Sequence, residues 1–264
     1  MLGELDFRAE GKCLDEFREF IRANGLEEVA TAPAYYPAQS AGKVLTMERL
    51  YGVPLVDLEG IKEFSSNPEQ TLFNALNTWT LSVVGCDFFH ADVHAGNLLV
   101  LQDGRVGFID FGIVGRIPPS IWGALQGVAL GAAEGDYTVV AESLVQMGAT
   151  DRDVDVPAFA RDLEAVVNSL NDIEPMVTAA VTPTGDVAAT MAVDEQQVTR
   201  LALDLVGIAD RNGVKLPREF GILLKQILYF DRYTRLLAPD VEVLSDARLN
   251  LSDLRDPRTD AIDV

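Results

Sequence analysis

The stretch from His90 to Gly112, HADVHAGNLLVLQDGRVGFIDFG, gathers the informative polar residues of the chain into one window. Leu98–Leu101 and Arg105–Ile109 are short β-prone runs. The Asp103-Gly104 pair between them marks a hairpin, because glycine supplies the positive φ that such a turn requires. A helix is expected to end near Phe89, so Asp92 and Asn97 fall on the loop leading into the hairpin. Asp110 falls where the second strand ends, and the hairpin brings it back beside Asn97. Two carboxylates and an amide then converge at a loop mouth with only oxygen donors on offer. Hard oxygen ligands suit Mg²⁺, which takes one or two protein groups and completes its shell with water and phosphate.

Two other readings use the same residues. Asp92 and Asn97 can be loop caps and Asp110 a strand-end turn former. Alternatively His90, Asp92 and His94 can be ligands of a metal hydrolase, although the chain has 2 histidines and no further His or Cys nearby to complete a transition-metal shell. His90 is expected to pack or hydrogen-bond within the loop, and His94 to lie at its surface.

Towards the N-terminus, Phe7, Leu14, Phe17, Phe20 and Ile21 recur at helical spacing, which predicts an amphipathic helix over Leu5–Ala23 ended by Asn24-Gly25. Two extended pieces are expected at Ala34–Tyr36 and Lys43–Glu48. A second helix is expected from Asn67-Pro68-Glu69 to about Phe88, with Asn67 as cap. Past Pro118-Pro119 the periodicity predicts helices over 120–134, 136–147, 156–173, 194–211 and 217–237. The last is read as mostly packing, with Leu223, Leu224, Ile227, Leu228 and Phe230 as core. The segment 174–192 reads as a loop and the tail from Leu249 as frayed.

Composition narrows the function classes. The 264 residues carry 41 acidic and 21 basic side chains, a net charge of −20. Such a surface repels phosphate backbones, which excludes nucleic acid as a partner. Apolar residues make up 48% and charged residues 23%, the balance of a soluble globular protein with one large domain or two small ones. Cys13 and Cys86 are too few for a disulfide framework and are expected to act as small core hydrophobes in a reducing compartment. No run approaches the roughly 18 apolar residues of a membrane span. The first residues, MLGELDFRAEGK, match neither a signal peptide nor a transit peptide.

The set Asp92, Asn97 and Asp110-Phe111-Gly112 resembles the catalytic and metal-binding loops of the protein-kinase superfamily. There an Asp is followed five residues on by an Asn, and D-F-G follows a short hairpin. The resemblance implies that Asp92 orients or deprotonates the phosphate acceptor while Asn97 and Asp110 bind Mg²⁺. Departures narrow the choice. No Arg precedes Asp92, and IVGRIPPSIW after Gly112 holds no A-P-E and no long Ser/Thr/Tyr-bearing segment, so the docking platform for a protein substrate is missing. Aminoglycoside-phosphotransferase-type kinases share the H-x-D-x-x-x-x-N loop but not the rest of the chain.

Four stretches in order resemble the UbiB family of atypical kinase-like proteins, also called aarF-domain kinases: Glu4–Glu10, Val44–Pro54, His90–Gly115 and Gly213–Leu237. By that resemblance Glu4 and Asp6 are the E-x-D pair, and Glu10 is the helix Glu that pairs with a strand Lys. Met47, Glu48, Arg49 and Leu50 are the hinge whose backbone hydrogen-bonds adenine. Ala95 replaces the Pro common at its loop position. On their own, Glu4, Asp6 and Glu10 read as a solvated helix face.

The resemblance implies an α+β, mostly helical, kinase-like fold. It would hold a partial small lobe over 1–50, a helical lobe over 51–240 carrying the hairpin, and a polar tail over 241–264. It implies ATP and Mg²⁺ as cofactors of a kinase or ATPase supporting isoprenoid-quinone lipid metabolism. Membrane lipid or quinone-biosynthesis proteins are the implied partners, in a bacterial cytoplasm, mitochondrion or plastid. The alternatives are a non-catalytic nucleotide-sensing scaffold and an inactive truncated fragment. The family's K-x-G-Q motif, Ala-rich loop and nucleotide-binding Lys precede the E-x-D helix, so the chain is expected to be a fragment that binds Mg-ATP weakly or not at all.

Overall fold

In the computed structural model, which describes residues 6–237 apart from 56, 87, 95, 151–152, 172–176, 182–186 and 192–194, the first amphipathic run forms helix α1 (Phe7–Ala23). Asp6 caps it by accepting the Arg8 N–H at 3.1 Å. Leu14, Phe17, Phe20 and Ile21 make its buried face. It stops at Asn24-Gly25, where the Asn24 side chain donates to the Phe20 carbonyl at 2.8 Å and Gly25 takes a φ of +67°.

The chain then forms β1 (Ala30–Thr31), which sequence periodicity does not announce. The two extended pieces expected at 34–36 and 43–48 are not strands. They touch through single bridges, Tyr35 with Met47 and Ala41 with Val44, around a 3₁₀ turn at Pro37–Gln39. Side chains take the backbone groups that a ladder needs. The Ser40 hydroxyl donates to the Tyr36 carbonyl and accepts the Thr46 N–H, both at 2.9 Å, and the Thr46 hydroxyl donates to the Gln39 carbonyl at 2.7 Å.

Next come β2 (Gly52–Pro54), the short helix α2 (Leu58–Phe64) and α3 (Pro68–Gly85). Helix α2 was not expected; Asp57 starts it by accepting the Gly60 N–H at 3.0 Å. Helix α3 begins as expected, with Asn67 accepting the Gln70 N–H at 3.1 Å and Pro68 in the first turn. It stops at Gly85, short of the expected Phe88, because Cys86 is already extended and the chain must enter β3 (Phe89–His90).

The expected hairpin is β4 (Leu98–Leu101) and β5 (Val106–Phe108). Its turn closes through Gly104 N–H to the Leu101 carbonyl and Leu101 N–H to the Arg105 carbonyl, both at 2.9 Å, with Gly104 at φ +84°. That is the three-residue loop whose last position favours glycine. The sheet runs β1-β5-β4-β2, with β1 parallel to β5 and the other pairs antiparallel. Strand β6 (Val114–Gly115) returns to pair with β3.

The rest is helical, as the periodicity predicts: α4 (Trp122–Glu134), α5 (Tyr137–Met147), α6 (Val156–Asn171), α7 (Glu195–Arg211) and α8 (Arg218–Leu237). Short β7 (Ala149–Thr150) lies between α5 and α6, and it pairs with β10 (Val214–Lys215) between α7 and α8. Where a loop was expected, β8 (Val177–Val181) and β9 (Val187–Met191) form a hairpin. Both carry valine and threonine on either side of Pro183 and Gly185, a β signal masked by the turn-rich composition. The tail from Leu249 lies outside the described residues.

Two hydrophobic clusters hold these elements together. One joins α1, α3, the hairpin and the far part of α8, with Phe17 in ring contact with Phe108 at 5.2 Å and Phe111 at 4.9 Å. The other lies among α4–α7, around Leu144, Phe159, Leu163 and Ile208. The class is α+β and mostly helical. Among the described residues, no helix is long and apolar enough to cross a membrane.

Gly11 sits on the Tyr35 ring, and a Cβ there overlaps the ring carbons. Alanine would gain about 1 kcal/mol in helix propensity, but overpacking costs about 1–3 kcal/mol. Gly11→Ala is therefore expected to lower unfolding free energy in urea, and to do so far less in a Tyr35→Ala background. An equal loss in both backgrounds would show that the ring is not the constraint.

Candidate functional site

His90 ends β3 and organises the loop after it. Its ring is fully buried, with its backbone carbonyl accepting the Trp79 indole N–H at 2.9 Å. Nδ1 accepts the Asp92 N–H at 3.1 Å, which leaves the proton on Nε2 to be donated to the Ile109 carbonyl at 2.9 Å. Burial pushes the pKa of His90 down, against the opposing pull of that carbonyl and of Asp92 and Asp110. One neutral imidazole thus ties the Asp92 loop to the strand that ends at Asp110.

Asp92 is also held from behind. The fully buried Gln226 of α8 accepts the Val93 N–H and donates to the Ala91 carbonyl, both at 2.8 Å. The two peptides flanking Asp92 are therefore clamped by one side-chain amide. The Asp92 carboxylate stays partly exposed, with Lys225 Nζ 3.9 Å from Oδ1 and His94 Nε2 3.7 Å from Oδ2. His94 Nδ1 accepts the Gly96 N–H at 3.0 Å.

Asn97 is buried where the loop enters β4. Its Nδ2 donates to the Asp92 carbonyl and its own carbonyl accepts the Ile109 N–H, both at 3.0 Å. Because β4 and β5 pair Leu98 with Phe108, Asn97 continues that ladder opposite Ile109, and Asp110 follows one residue on. The expected approach of Asp110 to Asn97 is therefore what the hairpin produces.

Asp110 has a φ of +62°, the positive value among the described non-glycine residues. Aspartate tolerates this left-handed conformation better than most side chains, here with Oδ1 accepting the Gly112 N–H at 3.3 Å. The turn sends Asp110 outward and Phe111 inward. Phe111 is buried against Phe17, Phe88 and His90, with the His90 ring 4.6 Å away.

Glu10 of α1 reaches the same turn. A Cβ placed on Gly112 would lie 3.1 Å from Asp110 Oδ1 and 3.7 Å from Glu10 Oε2. Burial first, and the Asp110 charge second, raise the Glu10 pKa above its ordinary value. A cavity of about 420 Å³ opens here, lined by Asp6, Glu10, Cys13, Phe111 and Arg116 among others. Burial pushes the Cys13 thiol up to about 11, so it stays protonated. A larger groove of about 550 Å³ around Asp136 and Arg161 shares none of these residues.

Asn97 is thus tied to Asp92 on one side and to the strand end before Asp110 on the other, and Glu10 meets Asp110 at the turn; Asp6 and Glu10 line the cavity, whereas Asp92, Asn97 and Asp110 do not. Glu4 and Ala95 lie outside the described residues. Met47, Glu48 and Leu50 occupy the bridged segment before β2. The Glu48 carboxylate pairs with Arg18 and accepts the Ala34 N–H, both at 3.1 Å, while its own N–H donates to the Ala34 carbonyl at 2.8 Å. Met47 is exposed beside Tyr35, and Leu50 lies against Gly107 of β5.

The donor set bears on which metal the residues could hold. Asn97 Oδ1 and the Asp110 carboxylate are hard oxygens, and two such groups fit Mg²⁺. The hydrolase alternative fails because both His90 nitrogens are engaged by the backbone. Among the described residues no group of three or more His, Cys, Asp or Glu is arranged to hold a metal.

Sequence reasoning missed Gln226 and Lys225. The signal was a polar residue on the buried stripe Leu223, Gln226, Phe230 and Tyr233 of α8, which is costly unless its amide is satisfied.

The ABC1 atypical kinase-like domain matches residues 1–144. A chloroplastic protein of Arabidopsis thaliana, described as an uncharacterized aarF domain-containing protein kinase, is 49% identical over 257 residues, covering 96% of this chain and 48% of its own length. The probable protein kinase UbiB of Haemophilus ducreyi is 27% identical over 89% of this chain and 42% of its own length. Chloroplastic ACTIVITY OF BC1 COMPLEX KINASE 7 of Arabidopsis thaliana is 25% identical over 96% of this chain and 34% of its own length. The chain spans about half the length, or less, of the curated relatives it matches. A solved structure of a Mycobacterium tuberculosis protein with erythromycin aligns with a TM-score of 0.43 at 21% identity, covering 92% of this chain and 59% of that one.

The His90 shift gives a pH dependence. Below the ordinary value of 6.5 the unfolded imidazole takes a proton that the buried one refuses, so stability falls as pH drops from 6.5 towards the depressed folded pKa. His90→Gln should cost about 1–3 kcal/mol at pH 7 and flatten that decline in chemical denaturation. A second titration tests the carboxylate pair: Asp110→Asn should lower the Glu10 midpoint seen by carbon NMR, but not to its ordinary value, because burial remains. An unchanged midpoint would mean the two groups do not interact.

Proposed function

The chain belongs to the ABC1 atypical kinase-like family, and from that premise we propose that it carries the phosphoryl-transfer centre of an atypical Mg-ATP-dependent kinase or ATPase. The observation that carries the proposal is one hydrogen-bonded unit. Asn97 is bonded to the Asp92 carbonyl on one side and to Ile109 on the other, with Asp110 next in the chain. Base, amide and carboxylate are thus positioned by backbone contacts that need no ligand to form, which is the preorganisation that phosphoryl transfer depends on.

In this reading Asp92 takes or orients the proton of the attacking hydroxyl or water, with Gln226 and His90 limiting the movement of its loop. Asn97 Oδ1 and the Asp110 carboxylate would hold Mg²⁺, which when bound would neutralise charge on the phosphates. Adenine lies along Met47–Leu50. The Glu48 N–H is committed to Ala34, so the adenine contacts are assigned to other backbone groups of this segment. Asp6 and Glu10 line the cavity beside the Phe111-Gly112 turn, and Glu10 is the partner for a lysine supplied by another segment. Its raised pKa fits a carboxylate poised for such a cation. Glu4, two residues before Asp6, joins this set by family resemblance.

The likeness to UbiB supports isoprenoid-quinone lipid metabolism as the process served, with a membrane lipid or a quinone-biosynthesis protein as partner. In the complete gene product, Asp110→Asn is expected to reduce Mg²⁺-dependent ATP turnover by about 10²- to 10³-fold, with the circular dichroism spectrum unchanged. Turnover and Mg²⁺ dependence equal to the unaltered protein would sink the catalytic reading. A cellular phenotype indifferent to this substitution but lost on deleting a partner-binding surface would point to the nucleotide-sensing scaffold.

A further inference from the structure

Glu10 meets Asp110 at the turn after the hairpin, and His90 and Asn97 tie the Asp92 loop to the same strand end, so the site that in the proposed function receives a polyanionic nucleotide is itself acidic, within a chain of net charge −20. In that reading Mg²⁺ and the lysine paired with Glu10 supply positive charge on the Asp110 side, which leaves the Asp92 side to be matched by the protein itself. Among the described residues, Lys225 and His94 are the basic side chains within 4.0 Å of the Asp92 carboxylate. Of the two, His94 is a cation only when protonated.

The place of Lys225 is set by the helix. Its neighbour Gln226 is locked between Ala91 and Val93, so the preceding residue of α8 must emerge beside Asp92. The ammonium also lies over the Tyr229 ring, 5.4 Å from the centroid, and that ring is buried. Separation from Asp92 Oδ1 is 3.9 Å, beyond the range of about 2.7–3.2 Å for a direct hydrogen bond. The two charges are close enough to feel each other and too far apart to satisfy each other. Lys225 is about one-third exposed, so a ligand can reach it.

We propose that Lys225 is a catalytic residue that binds a non-bridging oxygen of the terminal phosphoryl group of ATP on the side facing Asp92. This rests on the nucleotide reading of the site and goes beyond it by assigning to α8 the cation of the acceptor side. In the transfer step the acceptor oxygen bonds to phosphorus while the bond from phosphorus to the β–γ bridging oxygen breaks. The electron pair of that bond leaves with ADP, and the acceptor proton passes to Asp92. Lys225 keeps its protons throughout and stabilises the charge on the equatorial oxygens.

A merely structural role predicts something different. A partly exposed ion pair contributes little, and losing it would slightly lower stability without changing which nucleotide binds. The experiment is calorimetric titration of the complete gene product and its Lys225→Met and Lys225→Arg variants with Mg-AMPPNP and, separately, Mg-ADP. The expected result is a Kd for Mg-AMPPNP raised about 10-fold or more in Lys225→Met. Binding of Mg-ADP should be unchanged, and Lys225→Arg should recover most of the loss. Turnover in Lys225→Met should fall about 10²- to 10³-fold. If both nucleotides bind Lys225→Met as they bind the unaltered protein, or lose affinity equally, the assignment of Lys225 falls while the nucleotide site stands. If the unaltered protein binds neither, the site reading and this assignment fall together.

Discussion

A buried, neutral imidazole is the constraint from which the geometry of the site follows. His90 accepts from the peptide of Asp92 and donates to the carbonyl of Ile109, so a loop residue and a strand end cannot move independently. Protonation would turn the accepting nitrogen into a donor facing another N–H, and burial suppresses that state. The same ring lies against Phe111, whose inward direction depends on the left-handed backbone at Asp110. Loop, hairpin and aromatic core are therefore one mechanical unit. The outward course of Asp110 is the counterpart of the inward course of Phe111.

Helix α1 joins this unit through two independent contacts. Its Phe17 is in ring contact with both Phe108 and Phe111, and its Glu10 carboxylate comes up to Gly112. The close seat of Gly11 on Tyr35 fixes how near the helix lies to the segment that continues to Glu48. Arg18 strengthens the same junction by bonding both the Ala32 carbonyl and the Glu48 carboxylate. Exposed ion pairs of that kind add little stability, so apolar contact is what holds the helix in place.

What could be read from the sequence was local. The hairpin and its turn were legible because Asp103-Gly104 lies between two β-prone runs, and the convergence of Asn97 with Asp110 followed from it. The helices after Trp122 were legible from their 3.6-residue period. Strand β1 was not, since a two-residue parallel pairing with Val106 leaves no pattern in its own neighbourhood. The segment 34–48 looked extended, and its two pieces do meet through the Tyr36 and Glu48 N–H groups, but the Ser40 and Thr46 side chains take neighbouring backbone groups and keep the pairing to single bridges. At the site, Asp92 and its loop stood out, whereas Gln226 and Lys225 did not. Their partners lie more than 130 residues away in sequence, and only the tertiary fold brings them together.

That separation bears on the order in which a nascent chain matures. The peptides on either side of Asp92 acquire their lateral support from a helix translated near the end of the described chain. Synthesis from the N-terminus therefore delivers the aromatic cluster and the hairpin well before it delivers the amide that shapes the loop. Until that late segment docks, two buried main-chain groups lack their partner, and the carboxylate between them has no defined direction. The shape of the Asp92 loop is thereby timed to the completion of folding.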